Sequence, residues 1–223
     1  DKVLHLSETL DDMIARRQAF LVDYQDEALA ERFASLVDSA RTAASSLSND
    51  EEFARSVTRS YFKLLSYKDE YEVARLHTRA AFLDSVRQHF GKNAKLRFHL
   101  APPILNSGVD ARGRPTKREF GAWILPVFRV LAKMRGLRGT LFDVFGKSAE
   151  RRMERALITE FEQTLDAVLP VLRADNLDEA STLVRHYLDI RGYGPVKDES
   201  VREVRERIAA DLQTLLAGKQ KAA

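Results

Sequence analysis

Apolar residues recur every three or four positions through most of the chain, which is the period of an amphipathic α-helix. This pattern predicts helices over residues 7–24, 27–46, 50–67, 67–77, 80–90, 120–134, 148–172, 176–187 and 199–216. Ser7 is the expected cap of the first helix, and the first two helices are expected to form an antiparallel hairpin. Because only 10 Gly and 6 Pro interrupt 223 residues, long helices are favoured over a many-turned β-structure.

The period changes between residues 95 and 120. Residues 95–100 alternate polar and apolar side chains, as a half-buried strand does, and Pro102 and Pro103 end the alternation. Residues 106–115 are predicted to form a loop or hairpin tip, and residues 116–120 could form a second strand. The predicted fold class is therefore mainly α, a multi-helix bundle with a short β-strand or hairpin around residues 95–120.

The most apolar stretch is residues 120–134, with Pro126 in the first turn of its helix or at a kink. Five of its side chains are predicted to form one buried face: Trp123, Val127, Val130, Leu131 and Met134. The length suits one sizeable domain or two small ones. We predict a single helical domain over residues 1–218, with a possible division into 1–92 and 93–218, and a frayed tail at 219–223. The chain starts at Asp1 without Met, so we expect it to belong to a longer polypeptide.

Composition narrows the class of protein. Hydrophobic residues make up 44% and charged residues 31%, as in an ordinary globular protein. The apolar runs are short and broken by charges, and the first 12 residues carry no signal pattern, so we expect no membrane contact and a cytoplasmic location. The sequence contains no Cys, which excludes disulfides, a cysteine nucleophile and any iron–sulfur cluster or zinc–thiolate site held by this segment.

Charge is distributed unevenly. The formal net charge is only +3, but residues 112–155 contain 12 Lys and Arg against 4 Asp and Glu, a local balance of +8. Such a block could contact phosphates, an acidic partner protein or an acidic patch within a longer enzyme, or it could consist of solvated helix faces.

No complete catalytic motif is present. The sequence lacks a glycine-rich phosphate loop, a His-Glu-x-x-His pair, a nucleophile elbow and the Gly-Asp-Gly pattern of a thiamine diphosphate site. Its five His residues have no ligand spacing. We therefore predict no catalytic, cofactor-binding or metal-binding residue in this chain.

Two groups of residues are nonetheless candidates for ligand or partner contacts. In the charged segment 67–77, the alternatives are an internal ion-pair network and an anion or partner contact through Lys68, Tyr71 and Arg75. The second group would form a basic cleft for a carboxylate or phosphate if its segments converge. Its members are His99, Lys117, Arg118, Arg191 and Tyr193.

Six segments, at residues 60–76, 98–103, 117–121, 137–146, 150–155 and 190–197, occur in an order that resembles a known family. Over roughly residues 10–215, the chain is similar to the C-terminal region of long, fused indolepyruvate ferredoxin oxidoreductases. The resemblance implies a parent enzyme that oxidatively decarboxylates arylpyruvates with thiamine diphosphate, magnesium, coenzyme A and 4Fe-4S clusters, and that passes electrons to ferredoxin.

The cofactor motifs of that family lie upstream, and none maps onto this chain. The resemblance therefore implies a non-catalytic domain within an oligomeric enzyme. Packing against the catalytic domains is the first expected role, contact with the substrate or coenzyme A entrance the second, and docking of acidic ferredoxin the third.

Two alternatives from other classes remain open. One is a free-standing helical protein-interaction module. The other is a nucleic-acid-binding domain that uses the basic block 112–155. We rank the second lower, because aromatic residues are not interleaved with the cations at 112–117 and 150–155.

Overall fold

The computed structural model describes residues 8–91, 95–100, 108 and 116–222. Within these ranges the helices are α1 Leu10–Tyr24, α2 Glu27–Ser45, α3 Glu52–Leu65, α4 Glu70–Thr78, α5 Ala80–Phe90, α6 Leu125–Lys133, α7 Ala149–Val168, α8 Leu177–Arg185 and α9 Pro195–Ala222. Two antiparallel strands, β1 Arg97–Leu100 and β2 Arg118–Gly121, form a small sheet. The predicted fold class, a mainly α bundle with a short hairpin near residues 95–120, is confirmed.

Helix starts follow the capping chemistry of short polar side chains. The Asp26 carboxylate accepts the backbone N–H of Leu29 at the start of α2, and Ser148 accepts that of Arg151 in the first turn of α7. The cap of α1 is Thr9, which accepts from the N–H of Asp12. The predicted cap Ser7 lies outside the described residues. At the other end of the chain, α9 continues past the predicted end at residue 216.

The chain divides into two compact units. Unit 1 comprises Asp1–Tyr67 and Arg152–Ala223, and unit 2 comprises the continuous segment Lys68–Arg151. The possible division predicted at residues 92 and 93 lies inside unit 2.

Four aromatic rings, three of them stacked, form the centre of unit 1. Tyr61 on α3 lies between Phe33 of α2 and Phe161 of α7, with ring centroids 6.1 and 5.4 Å away. Tyr187 contacts the far side of Phe161 edge-on at 4.9 Å. All four rings are buried, so the apolar sides of α2, α3 and α7 meet in one core.

Polar contacts tie distant segments of unit 1 together. Arg32 binds both oxygens of the Glu162 carboxylate, at 2.8 and 2.7 Å, and the Tyr61 hydroxyl donates to the same carboxylate. Burial and this carboxylate raise the pKa of Tyr61. The Lys63 ammonium donates to the carbonyl oxygens of Leu188 and Ile190, at 2.5 and 2.7 Å, and closes the turn after α8.

The smaller core of unit 2 is formed by the hairpin, α4 and α6. Phe98 stands opposite Phe120 in the hairpin and turns inward, where it meets Phe128 of α6 edge-on at 5.6 Å. Ile124 completes this buried group together with Ala74 of α4. The alternation of β1 thus has the expected cause, because one of its faces covers the core and the other is exposed.

The predicted buried face of the 120–134 segment is wrong for three of its five residues, because Trp123, Val127 and Val130 are exposed. Leu131 packs against the core as predicted, and the buried residues of the segment are Ile124 and Phe128. Both sides of the helix are apolar, so the spacing alone did not show which side would be covered.

In the described part of the chain, no helix combines the length and the apolar character that crossing a membrane requires.

Candidate functional site

A buried ion pair joins the start of α4 to the segment after α6. Arg138 donates through Nε and Nη2 to the two oxygens of Asp69, at 2.6 and 2.9 Å, and both side chains are only 3% exposed. Asp69 also accepts the N–H of Glu72 at 2.8 Å and so caps α4. One carboxylate therefore fixes both a helix start and a distant loop.

A second buried pair follows on α4. Arg75 binds both oxygens of Glu72, at 2.7 and 2.8 Å. Next to it, burial raises the pKa of the Glu70 carboxyl, and Arg151 Nε lies 3.5 Å from Glu70 Oε2. The charged segment 67–77 thus forms an internal ion-pair network, which was one of the two interpretations of its sequence.

The loop formed by residues 138–146 closes around the carboxylate of Asp143. This carboxylate accepts the N–H groups of Gly139, Phe145 and Gly146, at 2.8, 3.2 and 2.9 Å. The hydroxyl of Tyr71 lies 3.2 Å from the same carboxylate, and burial together with the charge of Asp143 raises the Tyr71 pKa to about 12. Three backbone N–H groups of the loop therefore have an acceptor on its inner side.

The outside of the same loop is apolar. Leu141 is 92% exposed and Phe142 75% exposed, and Val144 is also exposed. Large apolar side chains on the outside of a loop that is hydrogen-bonded on the inside mark a contact surface more strongly than a single exposed leucine would.

A second apolar surface lies on α6 and the short 3-10 turn before it. Trp123, Val127 and Val130, which are 66%, 46% and 59% exposed, follow each other at four- and three-residue steps and form what we call the α6 outer face. The opposite side of the helix carries the buried Ile124 and Phe128. A helix that is apolar on two sides normally has a neighbour on each.

The indole of Trp123 is supported by its own chain. Its ring lies edge-on to Phe120, with the ring centroids 5.9 Å apart. A Cβ atom on Gly121 would come within 3.3 Å of Trp123 Cδ1, so the absence of a side chain at that position lets the indole pack against the backbone. The largest apolar group of the α6 outer face is thus already positioned.

The two units differ in net charge. Residues 68–151 contain 17 Lys and Arg against 8 Asp and Glu, a net charge of +9, which leaves −6 for the rest of the chain. Arg129 and Lys133, both exposed on α6, form no ion pair with any described residue. The apolar surfaces of unit 2 therefore lie in a positive field.

The structure places the eight candidate contact residues in three settings. Tyr71 and Arg75 are buried and bonded within unit 2. Four candidates are exposed in unit 2: Lys68, His99, Lys117 and Arg118. The other two, Arg191 and Tyr193, are exposed in unit 1.

The hairpin residues do not form an empty basic cleft. His99 stands opposite Glu119 in the sheet, with 4.0 Å between His99 Nε2 and the carboxylate, and Arg97 binds that carboxylate at 2.6 Å. Lys117 and Arg118 follow each other along the chain next to this group, so a strand would direct them to opposite faces.

The turn at residues 191–194 presents the other two candidates. Gly192 and Gly194 have positive φ angles of 97° and 55°, and the exposed Tyr193 lies between them. The Arg191 N–H donates to Ser200 Oγ at 3.2 Å, which ties the turn to α9. The sequence pattern Gly-Tyr-Gly is explained by this backbone shape.

The features that sequence reasoning missed are the partner of Asp69, the role of Asp143 and the exposed side of α6. The first two depend on residues about 70 positions apart, which no local pattern reveals. The third had a signal, because the 120–134 segment carries more apolar residues than one buried face needs.

The described residues contain no group of three or more His, Asp and Glu arranged to hold a metal ion. A cavity of about 530 Å³ in unit 1 has four acidic side chains and one basic side chain in its lining, and this net negative charge disfavours phosphate-bearing ligands. Its charged lining residues are Arg173, Asp175, Asp178, Glu179 and Asp211.

Fold and surface together define a mainly α protein whose basic unit 2 exposes the α6 outer face and the apolar side chains of the loop 138–146. The chain belongs to DUF6537, a family of unknown function, whose model matches residues 10–210. No curated protein and no solved structure matches the chain.

Proposed function

We propose that this chain is the non-catalytic C-terminal domain of an indolepyruvate ferredoxin oxidoreductase, where it packs against the catalytic domains. The observation that carries the proposal is the α6 outer face. Three large apolar side chains on α6 and the 3-10 turn before it remain about half to two-thirds exposed, although the opposite side of this segment is packed. The resemblance of six ordered segments to that enzyme family supplies the identity of the neighbour.

The energy available from such packing is sufficient for assembly within one polypeptide. Covering Trp123, Val127 and Val130 would contribute roughly 3–5 kcal/mol from apolar burial. Within one chain, the translational cost of association is largely absent, since tethering keeps the two partners at high effective concentration.

In this proposal the cofactors belong to other parts of the enzyme. Thiamine diphosphate, magnesium and the 4Fe-4S clusters are held by the catalytic domains, in agreement with the absence of cysteine from this chain. The net charge of +9 on unit 2 would attract the negatively charged coenzyme A or ferredoxin to this unit. The enzyme itself would be cytoplasmic and oligomeric.

The first test is the size of the polypeptide that carries this sequence in its source cells. An antibody raised against the chain should detect a band several times larger than 25.3 kDa. The immunopurified protein should reduce a viologen dye when indolepyruvate and coenzyme A are both present. A band near 25 kDa, or a large protein without this activity, contradicts the proposal. The small band would favour the free-standing interaction module.

The second test addresses the packing role in the long polypeptide. Val127→Asp introduces a charge into the α6 outer face and should reduce assembly and turnover while the iron content stays unchanged. Val196→Asp, at a valine of unit 1 that is 67% exposed against 46% for Val127, is the control. Equal behaviour of the two variants would exclude the α6 outer face as the packing surface.

A further inference from the structure

We infer that the α6 outer face binds an amphipathic helix of a partner protein that carries acidic residues along one flank. The inference rests on the proposed docking role of unit 2, but it does not depend on the oxidoreductase assignment. It names the shape and the charge of the partner, which the proposed function leaves open.

The spacing of the apolar side chains favours a helical partner. Val130 lies seven residues after Trp123, which corresponds to about 10 Å along a helix at 1.5 Å per residue. Alternating four- and three-residue steps produce the apolar stripe along which a second helix packs. The same steps recur where one helix docks against another through its apolar face.

The positive row beside these residues favours an acidic flank. Lys133 is three positions after Val130 and so lies beside the apolar row, and Arg129, four positions before Lys133, lies next to it but further round α6 from that row. Neither forms an ion pair with a described residue. A partner helix with Asp or Glu at four-residue spacing would supply both missing charges.

The other occupants fit less well. Two copies of the α6 outer face would bring like charges together, because each contributes the same Arg129 and Lys133. A nucleic acid would place its phosphates against cations, but here the cations lie at one edge and apolar groups occupy the centre. An acidic amphipathic helix would cover the apolar centre of the α6 outer face with its own apolar side and pair its carboxylates with the cations at the edge.

Trp123 makes the inference directly measurable, because it is the one Trp in the sequence. Two synthetic helical peptides with the same leucine stripe would be added to the chain, one with glutamates along its flank and the other with lysines. The glutamate peptide should shift Trp123 emission to shorter wavelength and protect it from acrylamide. We expect it to bind about tenfold more tightly than the lysine peptide, since two exposed charge pairs change sign.

Charge reversal provides the decisive variant. Arg129→Glu combined with Lys133→Glu should invert the preference so that the lysine peptide binds more tightly. Arg87→Glu combined with Lys95→Glu makes the same change in net charge elsewhere in unit 2 and should leave the preference as it was. Far-UV circular dichroism would verify that both variants keep their helix content.

Four results would overturn the inference. They are an equal response to the two peptides, no response to either, an emission shift that depends on the concentration of the chain alone, and a stronger response to duplex DNA. The third would indicate a second copy of this chain, and the fourth a nucleic acid. None of them bears on the arylpyruvate assay of the long polypeptide, so the two proposals can fail separately.

Discussion

The ion pair between Asp69 and Arg138 provides a test of what holds unit 2 together. Arg138→Met keeps much of the aliphatic stem but removes the two donors of the guanidinium. It leaves the Asp69 carboxylate, 3% exposed, with the N–H of Glu72 as its remaining donor among the described residues. Breaking a buried pair in this way costs about 3–5 kcal/mol, and we expect a loss of about 4 kcal/mol in the free energy of unfolding.

The matched control is an exposed pair in the same unit. Arg97 binds Glu119 at 2.6 Å, but both side chains are largely in solvent. Arg97→Met should therefore cost less than about 1 kcal/mol, because water screens the pair and replaces its hydrogen bonds. Asp69→Asn with Arg138→Met should be less destabilised than the sum of the two single variants, since no charge then remains buried without a partner.

Urea unfolding followed by Trp123 emission is the assay, because this residue lies in unit 2 and no other Trp contributes. Far-UV circular dichroism, recorded in parallel, follows all helices. A midpoint for Arg138→Met equal to that of Arg97→Met would refute the argument. It would mean that the Asp69 carboxylate is hydrated in the folded chain or that the network adds nothing to stability.

Three further predictions concern single positions. Burial and, to a smaller extent, the charge of Lys68 lower the pKa of His77. Because the unfolded chain then binds the proton more readily than the folded chain, unit 2 should lose stability as the pH falls below about 6.5. His77→Leu should flatten this dependence in urea titrations at pH 7.5 and 5.5. Gly192→Ala should destabilise unit 1 by roughly 2–3 kcal/mol, because φ is positive and the new Cβ would lie 2.7 Å from Val196 Cγ1. Thermal unfolding would measure this loss, and Gly194→Ala, whose new Cβ would meet no atom within 4 Å, is the control. Lys63→Met should cost about 2 kcal/mol in urea unfolding, because it leaves two carbonyl oxygens without their charged donor.

Local chemistry explains which parts of the fold the sequence predicted well. The bounds predicted for α5, residues 80–90, coincide with the helix, since Gly91 ends it with a φ of 83°. The hairpin was found because alternation with period two has few other causes. Helix periodicity likewise located the core residues of α2, α3 and α7.

Contacts between distant residues explain what the sequence did not predict. The pairing of Asp69 with Arg138 joins positions 69 residues apart, and nearer charges such as Lys68 offered a simpler interpretation. The wrong face of α6 has another cause. Periodicity measures how apolar residues are spaced, but it contains no information about whether the neighbour that covers them belongs to the same chain.

The order in which the segments of unit 1 occur along the chain has a consequence for its synthesis. Tyr61 can form its hydrogen bond only after Glu162, 101 residues later, has been synthesised. Lys63 likewise needs the carbonyl oxygen of Leu188, 125 residues later. At about 5–20 residues per second, α1–α3 leave the ribosome roughly 5–25 s before their partner helices exist. Unit 2 is continuous and can be completed within that interval. The nascent chain therefore passes through a state in which the aromatic faces of α2 and α3 remain open to chaperones or aggregation until α7 and the segment after α8 have been synthesised.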